Sequence, residues 1–276
     1  MVDRSSSEKT RFVGLMLSGG RSPHTAICAL DHFKGQGRLF LVESFVGKKE
    51  KNPADPDVML VERLQSLVDD EDGTPAEIIT NAPLDLPPCF KCGVYRCLGK
   101  DNCEVPETIK MMEVYEGLKQ KKKNLKKFTP YTQRIQDVWI REAVPEVMPP
   151  HEAMGSNMAQ ITSRMIHIRK MMPGTLFKES YPAAAMYRIL PSLGLPLSYA
   201  EEYRNIITGR RIRSAFIKKL EDKAAIFIYD NDMDILSNSV QLFDSLILAF
   251  TGVLGLLDKT EGPVDGFIVP INNIKF

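Results

Sequence analysis

The chain has 276 residues, of which 43% are hydrophobic and 26% charged, with a formal net charge of +1. This balance excludes a disordered or low-complexity chain and supplies a sizeable core without disulfides or obligatory oligomerisation. The near-zero net charge neither demands nor excludes nucleic acid, because cations can cluster locally while the sum stays small. The opening MVDRSSSEKT has no apolar region of the signal-peptide kind. The longest apolar stretch, Leu242 to Leu257, carries Asp244 and is short for a bilayer, so it reads as a buried helix. A cytoplasmic protein without a membrane partner is expected, with its cysteines kept reduced.

In chain order, Arg11–Ser18, His24–Asp31 and Arg38–Val46 read as three strands. The turn residues at 19–23 and 34–37 join them as an antiparallel meander. Val58, Leu60, Val61, Leu64, Leu67 and Val68 recur near helical period and predict a helix over 57–68. Gly73-Thr74-Pro75 ends it, and Glu77–Thr80 reads as a short buried strand. After a cysteine-rich loop at 87–105, helices are expected at 106–119, 152–172, 182–190, 199–220 and 235–257. Strands are expected at 175–179 and 266–269, and Ala225–Tyr229 is an apolar run without an assigned element. Strands first and alternating elements afterwards favour an α/β architecture, a mixed sheet flanked by helices.

The loop holds Cys89, Cys92, Cys97 and Cys103 in the spacing C-x2-C-x4-C-x5-C. Four thiolates so close in sequence can surround one tetrahedral Zn²⁺, and the spacing resembles a zinc knuckle with cysteine at the usual histidine position. A structural Zn²⁺ is the expected cofactor; an iron–sulfur cluster satisfies the same ligand count, and reduced thiols in a loop are the plain alternative. Cys28, alone on an apolar strand, reads as a core residue.

Four further patterns occur in order along nearly the whole chain. They are Gly14-Leu15-Met16-Leu17-Ser18-Gly19-Gly20, Asn81-Ala82-Pro83-Leu84-Asp85-Leu86-Pro87, Glu179-Ser180-Tyr181-Pro182 and Asp244-Ser245-Leu246-Ile247-Leu248-Ala249. The ordered set resembles the RNase H-like predicted nucleases related to RuvC. That resemblance implies one RNase H-like domain over 1–276, with the four-cysteine metal-binding loop of 87–105 inserted in it. It also implies strand ends and a C-terminal helix that gather carboxylates around two hard cations for phosphodiester hydrolysis.

The family's acidic positions fall at Met16, Asn81, Glu179 and Asp244, so two remain acidic and two are neutral. A methionine thioether is a poor ligand for Mg²⁺, and an asparagine amide brings no charge. The resemblance therefore implies a degraded metal site and a pseudo-nuclease kept for nucleic-acid binding or regulation. Mg²⁺ or Mn²⁺ is expected only in the alternative, an active nuclease with a site rearranged around acids such as Asp85 or Glu43. A protein-interaction scaffold is a third reading, and Met16 as strand core with Asn81 as a turn former is the bland one.

Lys121, Lys122 and Lys123 belong to a basic run from Lys119 to Lys127, followed by Arg134. These residues are the expected contacts to an RNA or DNA backbone, against the commoner meaning of a solvated helix end. Arg134, Asp137 and Arg141 also fall at helical spacing, which suits an internal salt-bridged face.

Overall fold

The computed structural model describes residues 9–19, 24–47, 55–69, 76–121, 127–148 and 150–276. The expected meander is present as β1 (Lys9–Met16), β2 (Ala26–Phe33) and β3 (Arg38–Val46), each pair antiparallel. After α1 (Pro56–Val68), β4 (Ala76–Thr80) joins β1 in parallel. Next come α2 (Pro88–Lys91), α3 (Pro106–Lys121), α4 (Ile135–Ala143) and α5 (Met158–Met171). The chain then adds β5 (Leu176–Glu179) parallel to β4. Helices α6 (Pro182–Leu193), α7 (Tyr199–Glu202) and α8 (Gly209–Ala224) lead to β6 (Ile226–Phe227), which pairs with β3. Helices α9 (Asp230–Asn238) and α10 (Val240–Leu256) precede a small ribbon of β7 (Thr260–Glu261) and β8 (Val269–Pro270). The sheet order is β5-β4-β1-β2-β3-β6, a mixed six-stranded sheet.

Strand β2 is buried along seven of its eight residues, AICALDH, as expected of a central strand covered on both faces. Alternation along the strands divides the apolar side chains between two cores. Phe12, Cys28, Leu30 and Ile79 face α6, α8 and α10, whereas Val13, Leu15, Ile27, Ile78 and Phe177 face α1 and α5. Gly14 lets α10 lie directly on β1: a Cβ there would stand 1.8 Å from the Ser245 carbonyl oxygen.

Several boundaries move from their expected places. The helix expected over 199–220 is interrupted between α7 and α8. That expected over 235–257 breaks at Ser239, whose side chain accepts from the Leu242 N–H at 3.2 Å and starts α10. The run at 225–229 supplies β6. Val269 belongs to the small ribbon, while Phe267 makes a parallel bridge to Glu179.

Among the described residues no single helix is long and apolar enough to cross a membrane. α9 and α10 together have the length and composition, but they bend by 113° at their break, and α10 buries residues 242–254 in the core.

Candidate functional site

Three strand ends lie side by side. Leu15 is in register with Thr80, and Thr80 with Glu179, so Met16, Asn81 and Glu179 come from adjacent ends of β1, β4 and β5. Asn81 is committed to the end of β1. Its Oδ1 accepts the Leu17 N–H at 2.7 Å, its Nδ2 donates to the Leu17 carbonyl at 3.4 Å, and its own N–H donates to Leu15. An aspartate would meet that Leu17 carbonyl with an oxygen where the amide now donates. Met16 packs on the core beneath α10, as a strand residue does.

Glu179 is 5% exposed and held by Arg134, itself 2% exposed. The guanidinium donates through Nη1 and Nη2 to the two Glu179 oxygens at 2.6 and 2.7 Å, and through Nη2 to Asp137 at 2.8 Å. The Leu84 N–H donates to Glu179 at 3.0 Å, and the Arg134 and Ala153 N–H groups donate to Asp137 at 2.9 and 3.3 Å. One buried cation thus bridges two buried carboxylates, with backbone donors making up the remainder. Burial pushes the Glu179 carboxyl above its ordinary pKa, against the pull of Arg134. On Arg134, burial works against the charge, and Glu179 and Asp137 overcome it.

Asp244, near the start of α10, is 1% exposed. Its Oδ1 accepts from the Tyr203 hydroxyl at 2.9 Å and its Oδ2 from Arg204 Nη2 at 2.7 Å. Arg204 Nε donates to the Tyr203 oxygen at 2.8 Å and closes a triangle. Burial raises the Asp244 carboxyl, opposed by Arg204 and Tyr203. Burial and the neighbouring Asp244 also hold the Tyr203 phenol well above its ordinary value.

The expected gathering of four positions therefore needs correction. The strand ends meet, but the carboxylates separate. Glu179 shares its strand face with Phe177, whose core is that of α1 and α5, and its Leu84 partner packs there too. Asp244 lies on α10, which covers the opposite face. Asp85 pairs with Lys91 at 2.9 Å and Glu43 with Arg63 at 2.6 Å, so these acids do not complete the site either. The residues present do not fit a pair of Mg²⁺ or Mn²⁺ ions: Met16 and Asn81 are neutral, and Glu179 and Asp244 are each bound by a guanidinium. Among the described residues no group of three or more His, Cys, Asp or Glu side chains is arranged to hold a metal ion.

Arg134, expected at a phosphate backbone, is instead inside the protein with all three side-chain nitrogens engaged by carboxylates. Lys122 and Lys123 lie outside the described residues, and Lys121 is described only as the end of α3. Cys28 is buried under α10, as expected, and burial pushes its thiol far up. The loop cysteines are exposed or half-buried, and none is in a disulfide.

Beside Glu179 opens a cavity of about 790 Å³ whose polar lining includes Asp85, Glu107, Lys110, Gln136 and Arg169. Arg204, Tyr203 and Arg169 are the site residues that sequence reasoning missed. Arg204 lies 40 residues from Asp244, and no spacing rule links positions so far apart. Comparison with known protein families, curated proteins and solved structures found no match.

Proposed function

We propose that this chain is an RNase H-like pseudo-nuclease, kept for binding nucleic acid rather than for cleaving it. The observation that carries the reading is that each retained acid is paired with an arginine, Glu179 with Arg134 (which Asp137 shares) and Asp244 with Arg204. Two-metal hydrolysis needs carboxylates shared between neighbouring cations that keep open positions for water and phosphate. A guanidinium supplies one fixed charge and no open coordination position, and here the two acids serve opposite faces of the sheet. Further support comes from the sheet itself. An antiparallel meander, extended by two parallel strands on its β1 edge, is the arrangement an RNase H-like fold requires.

The ligand reading rests on the basic run from Lys119 to Lys127, which contains six lysines and no acid. Such a run attracts a phosphate backbone whatever its sequence.

The test uses the full chain with Mg²⁺ or Mn²⁺ and a panel of RNA, DNA and hybrid substrates. No cleavage is expected. Cleavage that disappears in Glu179→Gln or Asp244→Asn overturns the pseudo-nuclease reading. In parallel, fluorescence anisotropy should record single-strand binding that weakens with salt. Replacing Lys121, Lys122 and Lys123 together by alanine should lower the log–log salt slope by about 2. No binding at low salt would leave the protein scaffold as the better reading.

A further inference from the structure

The cavity beside Glu179 lies at the carboxyl ends of β4 and β5, the end at which parallel strands of an open sheet receive ligands. Its walls come from the loop after β4, the start of α3, the start of α4, α5, β5 and residues 264–266. At about 790 Å³ it has the size of a small-molecule site, for which roughly 300–1,000 Å³ is typical. Gln136, in the first turn of α4, lines it and is only 7% exposed. Its Oε1 is buried without a hydrogen-bond partner among the described residues. A buried polar atom is ordinarily satisfied, so an orphaned one facing a cavity points to a group that completes it.

The charges around the cavity divide into those already paired and those that are not. Glu179 is held by Arg134, and Asp85 and Glu107 both pair with Lys91. Lys110 and Arg169 pair with no carboxylate among the described residues, although Arg169 Nη1 donates to the Leu84 carbonyl at 2.7 Å. Both are exposed, as is Asp265, which likewise has no ion pair among the described residues. These three form the rim, and Gln136 lies deeper. The buried Ile135 and Phe177 supply apolar wall.

We propose that this cavity binds a nucleoside monophosphate unit, with the base inside against Gln136 and the phosphate at the rim on Lys110 and Arg169. A carboxamide carries an acceptor beside a donor, which complements a base edge that offers a donor beside an acceptor. The apolar walls suit the faces of a flat heterocycle. At the rim, two cations without a carboxylate partner favour an anion, and Asp265 accepts from sugar hydroxyls. A cationic ligand finds less, because the acids nearest the interior are already paired. The inference goes beyond strand binding, since it uses neither the lysine run nor a metal. A single strand offers the same unit in an extruded nucleotide, so the test separates the two sources.

Calorimetric titration of the full chain with adenosine, guanosine, cytidine and uridine 5′-monophosphates, and with short trinucleotides, should find one-to-one binding of at least one. Saturation by a monophosphate identifies a free nucleotide, and saturation by trinucleotides alone identifies a strand residue. Ribose 5-phosphate, which lacks the base, should bind at least about tenfold more weakly. Gln136→Leu should weaken binding by about tenfold or more, with thermal stability equal or higher because an orphaned polar atom is gone. Should that variant fail to fold, Lys110→Ala and Arg169→Ala, at exposed positions, should each weaken binding, most clearly at low salt. Replacing Lys121, Lys122 and Lys123 by alanine should leave monophosphate binding unchanged, so this inference and the strand-binding reading fail separately. A cavity that takes neither monophosphates nor trinucleotides overturns the proposal. So does ribose 5-phosphate binding as tightly as the nucleotide, or a folded Gln136→Leu variant that binds like the parent.

Discussion

Arg134 stands at the N-cap position of α4, where its backbone N–H donates to Asp137, and its side chain bridges Glu179 to Asp137, almost wholly excluded from water. Replacing it by methionine keeps much of the volume but strands two buried carboxylates. Removing one partner of a buried ion pair costs about 3–5 kcal/mol, because the remaining charge has lost its compensation. Arg134→Met should lower the unfolding free energy by about that amount in urea denaturation. Arg134→Lys should recover little of the loss, since one ammonium cannot span two carboxylates as the planar fork does. A methionine variant as stable as the parent would mean that the cluster is not the buried ion triad described above.

At the scale of elements, α10 lies against β1 at Gly14. Gly14 has no room for a methyl group, as the Ser245 carbonyl and the Ala249 nitrogen would stand 1.8 and 2.7 Å from it. Both are helix backbone, so they cannot swing aside as a long side chain would. Gly14→Ala must push α10 off the sheet and open the core around Phe12 and Ile79, which also crowd Gly252 on the same helix. Overpacking of ordinary side chains costs about 1–3 kcal/mol, and a backbone clash exceeds it. The expected result is a loss above about 3 kcal/mol, or insoluble protein, judged by thermal unfolding and yield. Gly14→Ala with parental stability would show that α10 does not rest on β1.

The elements were largely legible in the sequence. Period-2 and helical patterns identified the meander, α1 and the helical second half, because those signals are local. What escaped was local structure decided by tertiary contact. α4 buries Ile135, Val138 and Ile140 but is only nine residues long. The continuous apolar pattern over 235–257 concealed the break at Ser239, where the chain bends to lay α10 on the sheet.

For the whole molecule, the sheet is a partition. Glu179 shares the strand face of Phe177, whereas Asp244 lies on α10, which covers the other face. Sites without shared partners contribute additively to stability, within about 0.3–0.5 kcal/mol. The double variant Glu179→Gln with Asp244→Asn should therefore lose the sum of the two single losses in urea unfolding. The Asp244 part should be the smaller, because Arg204 is 43% exposed and its attraction is screened by water. A coupling above about 1 kcal/mol would reveal one shared centre, as a metal site requires, rather than two ion pairs.

Composition and periodicity determined, without any coordinates, that this chain would build a mixed α/β sheet and that its second half would be helical. Chain order also determined that Met16 and Asn81 would be neutral and Glu179 and Asp244 acidic, since residue identity needs no fold. What those acids touch was decided only in three dimensions. Their partners lie 45 and 40 residues away, Arg134 for Glu179 and Arg204 for Asp244. Periodic patterns report which face a residue occupies within its own element. Which cation meets that face depends on how distant elements pack. Burial then makes the choice consequential, because a carboxylate removed from water must find a counter-charge.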